Sequence, residues 1–362
     1  MKRKERVVVA MSGGVDSAVA AGLLARAGYD VIGITMRLWT VEDADAPRAK
    51  KRCCSVEDTD DARRAADVLG IPHYVLNMER EFQDRVIDYF VAEYGRGRTP
   101  NPCLACNEHV KFRALLERAL ALDADFLATG HYARIEHRDG RYALRRAVDE
   151  SKDQSYVLYT LGQAELAKTL FPVGDAPKRR IREMAREMKL ELAEKPDSAD
   201  ICFVPDGDYR RFVRDRLPQR AGVIRDASGA EIAAHEGIAG FTVGQRKGLG
   251  VAVGEKRFVT SIDAAANVVT IGSEDDLMSR SLIAEHVNWL AGTPPAASIR
   301  ADVKIRYRAP AAAALVTPLD NGSTLVEFDR RQRAITPGQA AVFYDGDEVI
   351  GGGAIREAVR LI

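Results

Sequence analysis

The chain has 362 residues, 46% hydrophobic and 29% charged, values typical of a globular protein with a sizeable core. Lysine and arginine together number 53, as do aspartate and glutamate, so the net charge is zero and no overall field attracts nucleic acid. No apolar run reaches the length of a membrane-spanning helix, so we expect no membrane partner.

The first six residues lead directly into the apolar run Val7-Val8-Val9, which predicts a buried strand. We therefore expect no signal or transit peptide, and a cytoplasmic protein. The five cysteines are an odd number, which favours reactive or metal-binding thiols over a disulfide scaffold. Two of them, Cys53 and Cys54, are adjacent and receive no role.

A Ser-Gly-Gly turn separates this strand from an apolar helical pattern at residues 18–26. Glycines let the backbone approach a ligand closely, and the N–H groups of the first helical turn then face the loop. Ser12 and Ser17 add hydroxyl donors, and Asp16 is an acid that can hold Mg²⁺ against a polyphosphate. The loop lacks the lysine of a Walker loop. We predict an anion site here, and the alternative is an ordinary glycine-rich turn.

Strands and helices then alternate along the chain. The predicted strands are Asp30–Met36, His73–Asn77 and Asp125–Thr129, and the predicted helices are Val56–Leu69 and Val110–Leu122. This alternation predicts a doubly wound parallel sheet of the Rossmann-like α/β class, which binds ligands at the carboxyl ends of its strands. Because Ser12, Met36 and Gly130-His131 follow or end such strands, we expect them to line one ATP pocket with Met36 near the adenine. Core packing is the alternative role for Met36.

Beyond the fourth predicted strand, the sequence pattern is different. Residues 132–148 alternate around Asp139-Gly140 and predict a hairpin. Residues 176–225 are predicted to be helical and are locally basic, which indicates either RNA contact or a solvated helix face. Beyond them, short apolar segments alternate with turns. We predict a catalytic α/β domain at 1–208, a small β-rich central domain at 209–277 and a C-terminal β-barrel at 278–362.

Two cysteine sites carry candidate chemistry. The first is Cys103-x-x-Cys106, approached by two prolines that hold the chain extended, with Cys106 at the start of a helix predicted over Glu108–Leu122. A helix N-terminus shifts a thiol toward thiolate, the form that reacts or binds metal. The second is Cys202, in a loop flanked by charge. Buried inert thiols and half of a zinc site are the alternatives, but no second Cys-x-x-Cys completes a zinc site.

Several short motifs occur in an order that resembles one known family. They are Ser12 to Ser17, Arg52-Cys53-Cys54-Ser55, Thr99 to Cys106 with Lys111-Phe112, Thr129-Gly130-His131-Tyr132, Lys152-Asp153-Gln154-Ser155-Tyr156, Asp200-Ile201-Cys202-Phe203 and Thr336-Pro337-Gly338-Gln339. Together they resemble the tRNA-specific 2-thiouridylases, the MnmA family of PP-loop ATP pyrophosphatases. The resemblance runs from about Val7 to the C-terminus.

The resemblance implies an ATP-dependent 2-thiolation of the wobble uridine in a tRNA anticodon. ATP would adenylate the C2 oxygen, a persulfide on Cys202 would deliver sulfur, and Cys106 would complete release and leave a Cys106–Cys202 disulfide. Asp16 is the implied Mg²⁺ ligand, and a cysteine desulfurase or sulfur-relay protein is the implied sulfur donor. The implied ATP-binding residues are Ala10, Met11, Ser12, Gly13, Gly14, Val15, Asp16, Ser17, Met36 and Gly130.

The resemblance also implies contacts with the tRNA anticodon stem-loop. Asn101, Pro102 and Cys103 occupy the target-base position, where many members have Asp instead of Cys103. A base must leave its stack to be modified, which explains a narrow pocket at this proline-rich turn. The implied tRNA contacts, which suit phosphate and exposed-base recognition, are His131, Lys152, Asp153, Gln154, Arg306, Tyr307 and Gln339.

Three alternatives stay open from the sequence. Cys103, Cys106 and Cys202 together can hold a [4Fe–4S] cluster whose open iron carries sulfide in place of a persulfide. A different PP-loop adenylating enzyme would leave Cys106 and Cys202 without a task. A non-catalytic RNA-binding protein with an iron–sulfur or zinc site would not need the intact Ser-Gly-Gly-x-Asp-Ser loop.

Overall fold

The computed structural model describes residues 3–39, 56–196, 201–204, 206–251 and 255–359, so Cys53, Cys54 and Asp200 lie outside the described residues. The strands are β1 (Arg6–Ala10), β2 (Asp30–Arg37), β3 (His73–Asn77), β4 (Phe126–Thr129), β5 (Ala133–Arg138), β6 (Arg141–Arg146), β7 (Thr169–Leu170), β8 (Gly222–Arg225), β9 (Glu231–His235), β10 (Phe258–Asp263), β11 (Val268–Gly272), β12 (Met278–Trp289), β13 (Ile299–Lys304), β14 (Ala312–Pro318), β15 (Thr324–Arg333), β16 (Ala340–Asp345) and β17 (Glu348–Val359).

The helices concentrate in the first two thirds of the chain. They are α1 (Val15–Arg26), α2 (Val56–Leu69), α3 (Glu79–Phe82), α4 (Asp88–Gly95), α5 (Pro102–Ala105), α6 (Leu116–Ala121), α7 (Gln163–Leu166), α8 (Lys178–Glu187) and α9 (Tyr209–Arg214). Two π-helical segments, Gln83–Ile87 and Cys106–Leu115, make continuous helices of α3 with α4 and of α5 with α6. In the described part of the chain, no helix is both long and apolar enough to cross a bilayer.

The first sheet is parallel and has the order β3-β2-β1-β4-β7. Residues 7–10 of its central strand are apolar because helices cover both faces: Val7 and Val9 pack with α1, α2 and α8, whereas Val8 packs with the helices of residues 79–121. The predicted doubly wound sheet is therefore confirmed. The carboxyl ends of β1, β2 and β4 lie side by side at one edge, where the parallel register pairs Ala10 with both Ile34 and Thr129.

The second sheet is small and has the order β10-β11-β8-β9. Buried side chains of Ile224, Val259, Val269 and Ile271 form its core. The third sheet runs β12-β15-β14-β13-β16-β17, and β12 also pairs with β17, so these six strands close into an antiparallel barrel. The expectation of a β-rich middle followed by a barrel is confirmed.

The hairpin predicted at residues 132–148 is also confirmed, as β5 and β6. Asp139 and Gly140 both have positive φ, 53° and 76°, which is the geometry of a two-residue hairpin turn. The hairpin does not join the parallel sheet but pairs through β6 with β17 of the barrel, Val349 opposite Leu144. The hairpin follows β4 in the chain and is hydrogen-bonded to the barrel, so it links the parallel sheet to the barrel.

The prediction that residues 176–225 are helical is wrong in part. Helix α8 ends at Glu187, and Lys189 adopts a positive φ of 58°. A 3₁₀ turn at Glu191–Glu194 precedes Pro196, whose ring cannot continue a helix. The remaining regular structure is the short α9 and the strand β8, so the basic residues of this region lie on separate elements.

Candidate functional site

The Ser-Gly-Gly loop joins β1 to α1 and has the shape of an anion site. Gly13 has a φ of +72°, and a Cβ there would lie 2.1 Å from the carbonyl oxygen of Asp58, so only glycine fits. Gly14 is the extended N-cap residue of α1 and provides no side-chain cap. The N–H groups of the first turn and the positive end of the helix dipole are therefore directed at the loop.

The two loop serines have different tasks. Ser17 is buried, accepts a 3.1 Å hydrogen bond from the Ser12 backbone N–H and donates one of 3.1 Å to the Gly14 carbonyl, so it fixes the loop conformation. Ser12 is exposed, and its hydroxyl lies 3.4 Å from that of Ser17. Of the two serine hydroxyls, that of Ser12 is thus the one exposed to solvent.

The other residues predicted to bind ATP divide into backbone and core positions. Ala10, Met11 and Val15 are buried, and the Met11 backbone N–H donates 2.8 Å to the Ile34 carbonyl. Met36 is 8% exposed and belongs to the core between the sheet and its helices, as the packing alternative expected. A Cβ on Gly130 would lie 2.6 Å from the Ser17 backbone nitrogen, so this glycine lets the end of β4 touch the start of α1.

Asp16 is paired inside the protein. Lys178 Nζ lies 2.7 Å from each of its carboxylate oxygens, and the Tyr132 hydroxyl donates a 2.8 Å hydrogen bond to Oδ1. Sequence reasoning missed Lys178 and Tyr132 as neighbours of the loop. No local pattern could have revealed them, because the contact joins residues far apart in the chain.

A second lysine also contacts the loop. Lys195 Nζ donates to the Gly13 carbonyl at 2.9 Å and to Asp58 Oδ1 at 2.6 Å, and it also pairs with Asp61. Its pKa is raised above the ordinary value because these two carboxylates outweigh the effect of burial. Lys195 lies seven positions before Cys202. The Ser-Gly-Gly loop is therefore tied to the segment that leads to that cysteine.

The helix with the Cys-x-x-Cys pair begins earlier than predicted. Asn101 is its N-cap and accepts a 3.0 Å hydrogen bond from the Cys103 N–H, and Pro102 occupies the first helical position, which proline favours. The interpretation that Cys106 begins the helix is therefore wrong. Cys103 lies in the first turn and is exposed, whereas Cys106 follows the first turn and is buried.

The thiols of Cys106 and Cys202 share one apolar cluster. Cys106 is 8% exposed within it, and the half-buried Cys202 packs against it. The next residue, Phe203, anchors the segment with ring contacts of 5.7 Å to Phe82 and 5.2 Å to Phe90. Among the described residues no group of three or more Cys, His, Asp or Glu is arranged to hold a metal ion.

Several residues that were predicted to contact tRNA form hydrogen bonds within the protein. His131 is buried between the rings of Phe112 and Phe171, its Nδ1 lies 2.6 Å from the Thr129 hydroxyl, and burial lowers its pKa well below the ordinary value. Asp153 accepts 3.1 Å hydrogen bonds from the Ala147 and Ser155 backbones. These side chains shape the loops around the site.

Gln154 and Lys152 belong to the same loop. The Gln154 side-chain carbonyl accepts a 2.9 Å hydrogen bond from the Tyr132 N–H, which fixes the residue whose hydroxyl contacts Asp16. Lys152 is half-buried in the turn that follows Asp149. The loop that contains Lys152 and Gln154 therefore supports the Ser-Gly-Gly loop through Tyr132.

Arg306 and Gln339 line a cleft of about 380 Å³, which Thr99 also lines, whereas Tyr307 is not among its lining residues. Gln339 donates 2.8 Å to the Thr99 carbonyl, and Arg306 donates 2.9 Å to the Thr336 hydroxyl. Burial lowers the pKa of Arg306. Burial raises the pKa of Tyr307, and the nearby charges of Asp153 and Cys103 raise it further. The cleft is lined by residues of all three sheet regions: Thr99, Thr242, Val243, Gly244, Gln245, Arg306, Arg333, Thr336 and Gln339.

Most basic side chains of α8 form ion pairs or hydrogen bonds with other residues of the protein. Arg180 pairs with Glu187 at 2.7 Å, Arg186 pairs with Glu194 at 2.7 Å, and Arg182 donates 2.6 Å to the Ala193 carbonyl. Arg179 pairs with Glu183 at 3.5 Å, and its side chain, 88% exposed, is the most exposed among these arginines. The charge run therefore offers few cations to an external partner.

Three family descriptions match successive parts of the chain. They are the tRNA methyl transferase HUP domain at residues 5–206, the tRNA methyl transferase PRC-barrel domain at 210–273 and the aminomethyltransferase beta-barrel domain at 279–355. The tRNA-specific 2-thiouridylase MnmA 1 of Thermoanaerobacter sp. (strain X514) is 49% identical over 364 residues, which cover 99% of this chain and 100% of the relative.

Two further relatives show the same extent of similarity. The tRNA-specific 2-thiouridylase MnmA of Geotalea uraniireducens is 51% identical, covering 99% of this chain and 96% of the relative. That of Clostridium acetobutylicum is 48% identical, covering 97% of this chain and 99% of the relative. The similarity therefore includes all three sheet regions and is not limited to the Ser-Gly-Gly loop.

Proposed function

The chain belongs to the MnmA family of tRNA-specific 2-thiouridylases, and we propose that it replaces the C2 oxygen of the wobble uridine in a tRNA anticodon with sulfur, using ATP. It is then a tRNA sulfurtransferase, and its product is 2-thiouridine. The observation that carries the proposal is the full-length identity of about half to named 2-thiouridylases, joined to a loop shaped for a polyphosphate.

We propose that ATP binds at the Ser-Gly-Gly loop. The exposed Ser12 hydroxyl, the Gly13 turn and the uncapped first turn of α1 fit the phosphates. Asp16 supplies one hard oxygen ligand for Mg²⁺, which takes its other ligands from phosphate oxygens and water. ATP supplies an AMP leaving group on the uridine C2 oxygen, which makes a poor leaving group a good one.

Sulfur transfer follows from the two thiols that share the apolar cluster. A Cys202 persulfide attacks C2, AMP departs, and a disulfide joins the base sulfur to Cys202. The Cys106 thiolate then attacks the Cys202 sulfur, which releases 2-thiouridine and forms a Cys106–Cys202 disulfide. A two-electron thiol reductant restores both cysteines, and a cysteine desulfurase or sulfur-relay protein supplies the next sulfur.

The [4Fe–4S] alternative fits the residues less well. It needs Cys103, Cys106 and Cys202 around one position, whereas Cys103 is exposed at the helix start and Cys106 is buried. We therefore assign Cys103, with Asn101 and Pro102, to the target-base pocket. Burial, Asp153 and Cys103 all raise the pKa of Tyr307, which supports a place for this tyrosine beside that pocket.

The three-domain division at 208/209 and 277/278 and a cytoplasmic location complete the proposal. The sheets support the division, since β7 ends the parallel sheet, β8 begins the middle sheet and β12 begins the barrel. The cleft lined by Thr99, Arg306 and Gln339 lies where these regions meet, next to the target-base pocket. We propose that it receives the anticodon loop, together with His131, Lys152, Asp153 and Gln154 as supports.

The reaction products provide a direct test of the proposed function. With ATP, a sulfur donor and unmodified tRNA, we expect AMP and pyrophosphate in amounts equal to the 2-thiouridine formed. The measurement is chromatography of the nucleotides and mass spectrometry of the wobble nucleosides. Without tRNA, AMP formation should fall to background. ADP as the main product, or AMP without thiolated tRNA, would contradict the assignment.

Binding of tRNA should depend on few cations, because the net charge is zero and most arginines of α8 are paired internally. In the double variant Arg179→Glu, Arg211→Glu we expect weaker tRNA binding and a shallower salt dependence, by about one unit of slope per lost phosphate contact. ATP affinity should stay the same. The readout is filter binding across a salt series.

Arg3→Glu is the matched charge reversal for this test. Arg3 pairs with Asp125 beside the amino end of the parallel sheet, and its side chain is 61% exposed, so its reversal should leave the salt slope unchanged. If the double variant keeps the slope of the unmodified protein, α8 and α9 do not contact the tRNA.

A further inference from the structure

A lysine distant in sequence reaches the acid of the nucleotide loop. Lys178 is the first residue of α8, and its Nζ lies 2.7 Å from both carboxylate oxygens of Asp16. Asp16 is the second residue of α1, in the turn that borders the loop. Lys178 is 9% exposed, whereas the side chain of the next residue, Arg179, is 88% exposed. The two neighbours therefore belong to different surfaces, one facing the loop and one facing solvent.

Contacts from two other segments hold Lys178 in this position. Its backbone N–H donates a 2.9 Å hydrogen bond to Asp149, and this bond is the main cause of the lowered pKa of that carboxyl. Its Nζ lies 5.7 Å from the centre of the Tyr132 ring, whose hydroxyl contacts the same Asp16 carboxylate. The start of α8 is thus fixed to the loop that follows β6, and the ammonium is fixed at the nucleotide loop.

The chemistry of the loop calls for a cation at this point. A triphosphate carries several negative charges, and Asp16 adds one more beside it. The sequence of the loop contains no lysine, the residue that contacts the terminal phosphates in a Walker loop. A partly buried ion pair contributes little net stability, so the pair is not explained by stability alone.

We propose that Lys178 is the phosphate-binding lysine of this loop, and that its ammonium contacts the phosphates of ATP that leave as pyrophosphate. Asp16 then shares its charge between Lys178 and the divalent cation that accompanies the phosphates. The proposal rests on the proposed binding of ATP at the loop and adds to it a residue, a contact and a task in leaving-group stabilisation.

The test separates contact with phosphate from mere neutralisation of Asp16. Four proteins are compared: the unmodified chain, Asp16→Asn, Lys178→Gln and the double variant. Magnesium pyrophosphate, magnesium ATP and AMP are the probes, and affinities come from isothermal titration calorimetry without tRNA. If Lys178 contacts phosphate, the double variant binds pyrophosphate and ATP at least about tenfold more weakly than Asp16→Asn and binds AMP equally well.

Two controls check that the variants fold and that the loss of affinity is specific to Lys178. The double variant removes both charges of the pair and leaves no unpaired ion, so it should fold, and a thermal unfolding curve checks this. Lys168→Gln removes an exposed lysine near β7 and should change no affinity. Equal pyrophosphate affinities of Asp16→Asn and the double variant would overturn the role of Lys178, as would a matching loss of AMP binding. Absence of ATP binding by the unmodified chain would overturn the proposed function as well.

Discussion

Replacement of Cys202 by serine is expected to abolish sulfur transfer to tRNA while ATP-dependent adenylation of the tRNA, with release of pyrophosphate, continues. A serine hydroxyl cannot carry a persulfide, whereas the nucleotide loop does not use this thiol. Cys202 is half-buried, and Phe203 and Val204 anchor its segment in the core, so the substitution should leave the fold intact. The measurement is mass spectrometry of wobble nucleosides beside quantification of pyrophosphate.

Replacement of Cys106 by serine should block a different step. The Cys202 persulfide can still attack C2, but no second thiolate then releases the base, so a tRNA–protein adduct joined by a disulfide should accumulate. The adduct should appear on a denaturing gel and disappear with dithiothreitol. Some loss of stability is also expected, because Cys106 is 8% exposed and the serine hydroxyl would enter the apolar cluster.

Cys53→Ser and Cys54→Ser are the controls, since they remove thiols without an assigned role, and both should thiolate nearly as well as the unmodified chain. Full thiolation by the Cys202→Ser protein would refute the persulfide assignment. An adduct trapped in Cys202→Ser but not in Cys106→Ser would exchange the roles of the two cysteines. ATP binding should be the same in all four variants.

The parts of the site that could be predicted from the sequence are those specified by neighbouring residues. The strand, the Ser-Gly-Gly turn and the first turn of α1 are contiguous, so the pattern of residues 7–26 was sufficient. The start of the helix at Asn101-Pro102 was also locally encoded, by an N-cap residue and a proline at the first helical position. The error there came from assigning the prolines to an extended approach.

The parts that could not be predicted depend on contacts between distant residues. The Lys178–Asp16 pair requires α8 to return to the start of α1, and nothing near Lys178 in sequence distinguishes it from the solvent-facing Arg179. The pairing of β6 with β17 likewise joins segments far apart in the chain. The basic composition of residues 176–225 indicated a charged surface but not that Arg180 and Arg186 are paired with glutamates.

Substitution of either Gly13 or Gly130 by alanine should lower ATP affinity markedly, because each new Cβ would collide with backbone atoms that shape the proposed ATP site. At Gly13 the new Cβ would lie 2.1 Å from the Asp58 carbonyl oxygen, and the positive φ adds strain. At Gly130 it would lie 2.6 Å from the Ser17 backbone nitrogen, which pushes β4 away from the start of α1. Calorimetric ATP titration measures both effects.

Two other glycines show whether the loss comes from geometry or from glycine itself. A Cβ on Gly14 would meet only the Ser12 hydroxyl at 3.4 Å, an ordinary contact, so Gly14→Ala should weaken ATP binding far less than Gly13→Ala. A Cβ on Gly240, in the middle region, would meet no atom within 4 Å, so Gly240→Ala should change nothing. Equal losses at Gly13 and Gly14 would mean that the ligand itself needs the space above the loop. An unchanged affinity in Gly130→Ala would mean that the approach of β4 to α1 does not shape the nucleotide site.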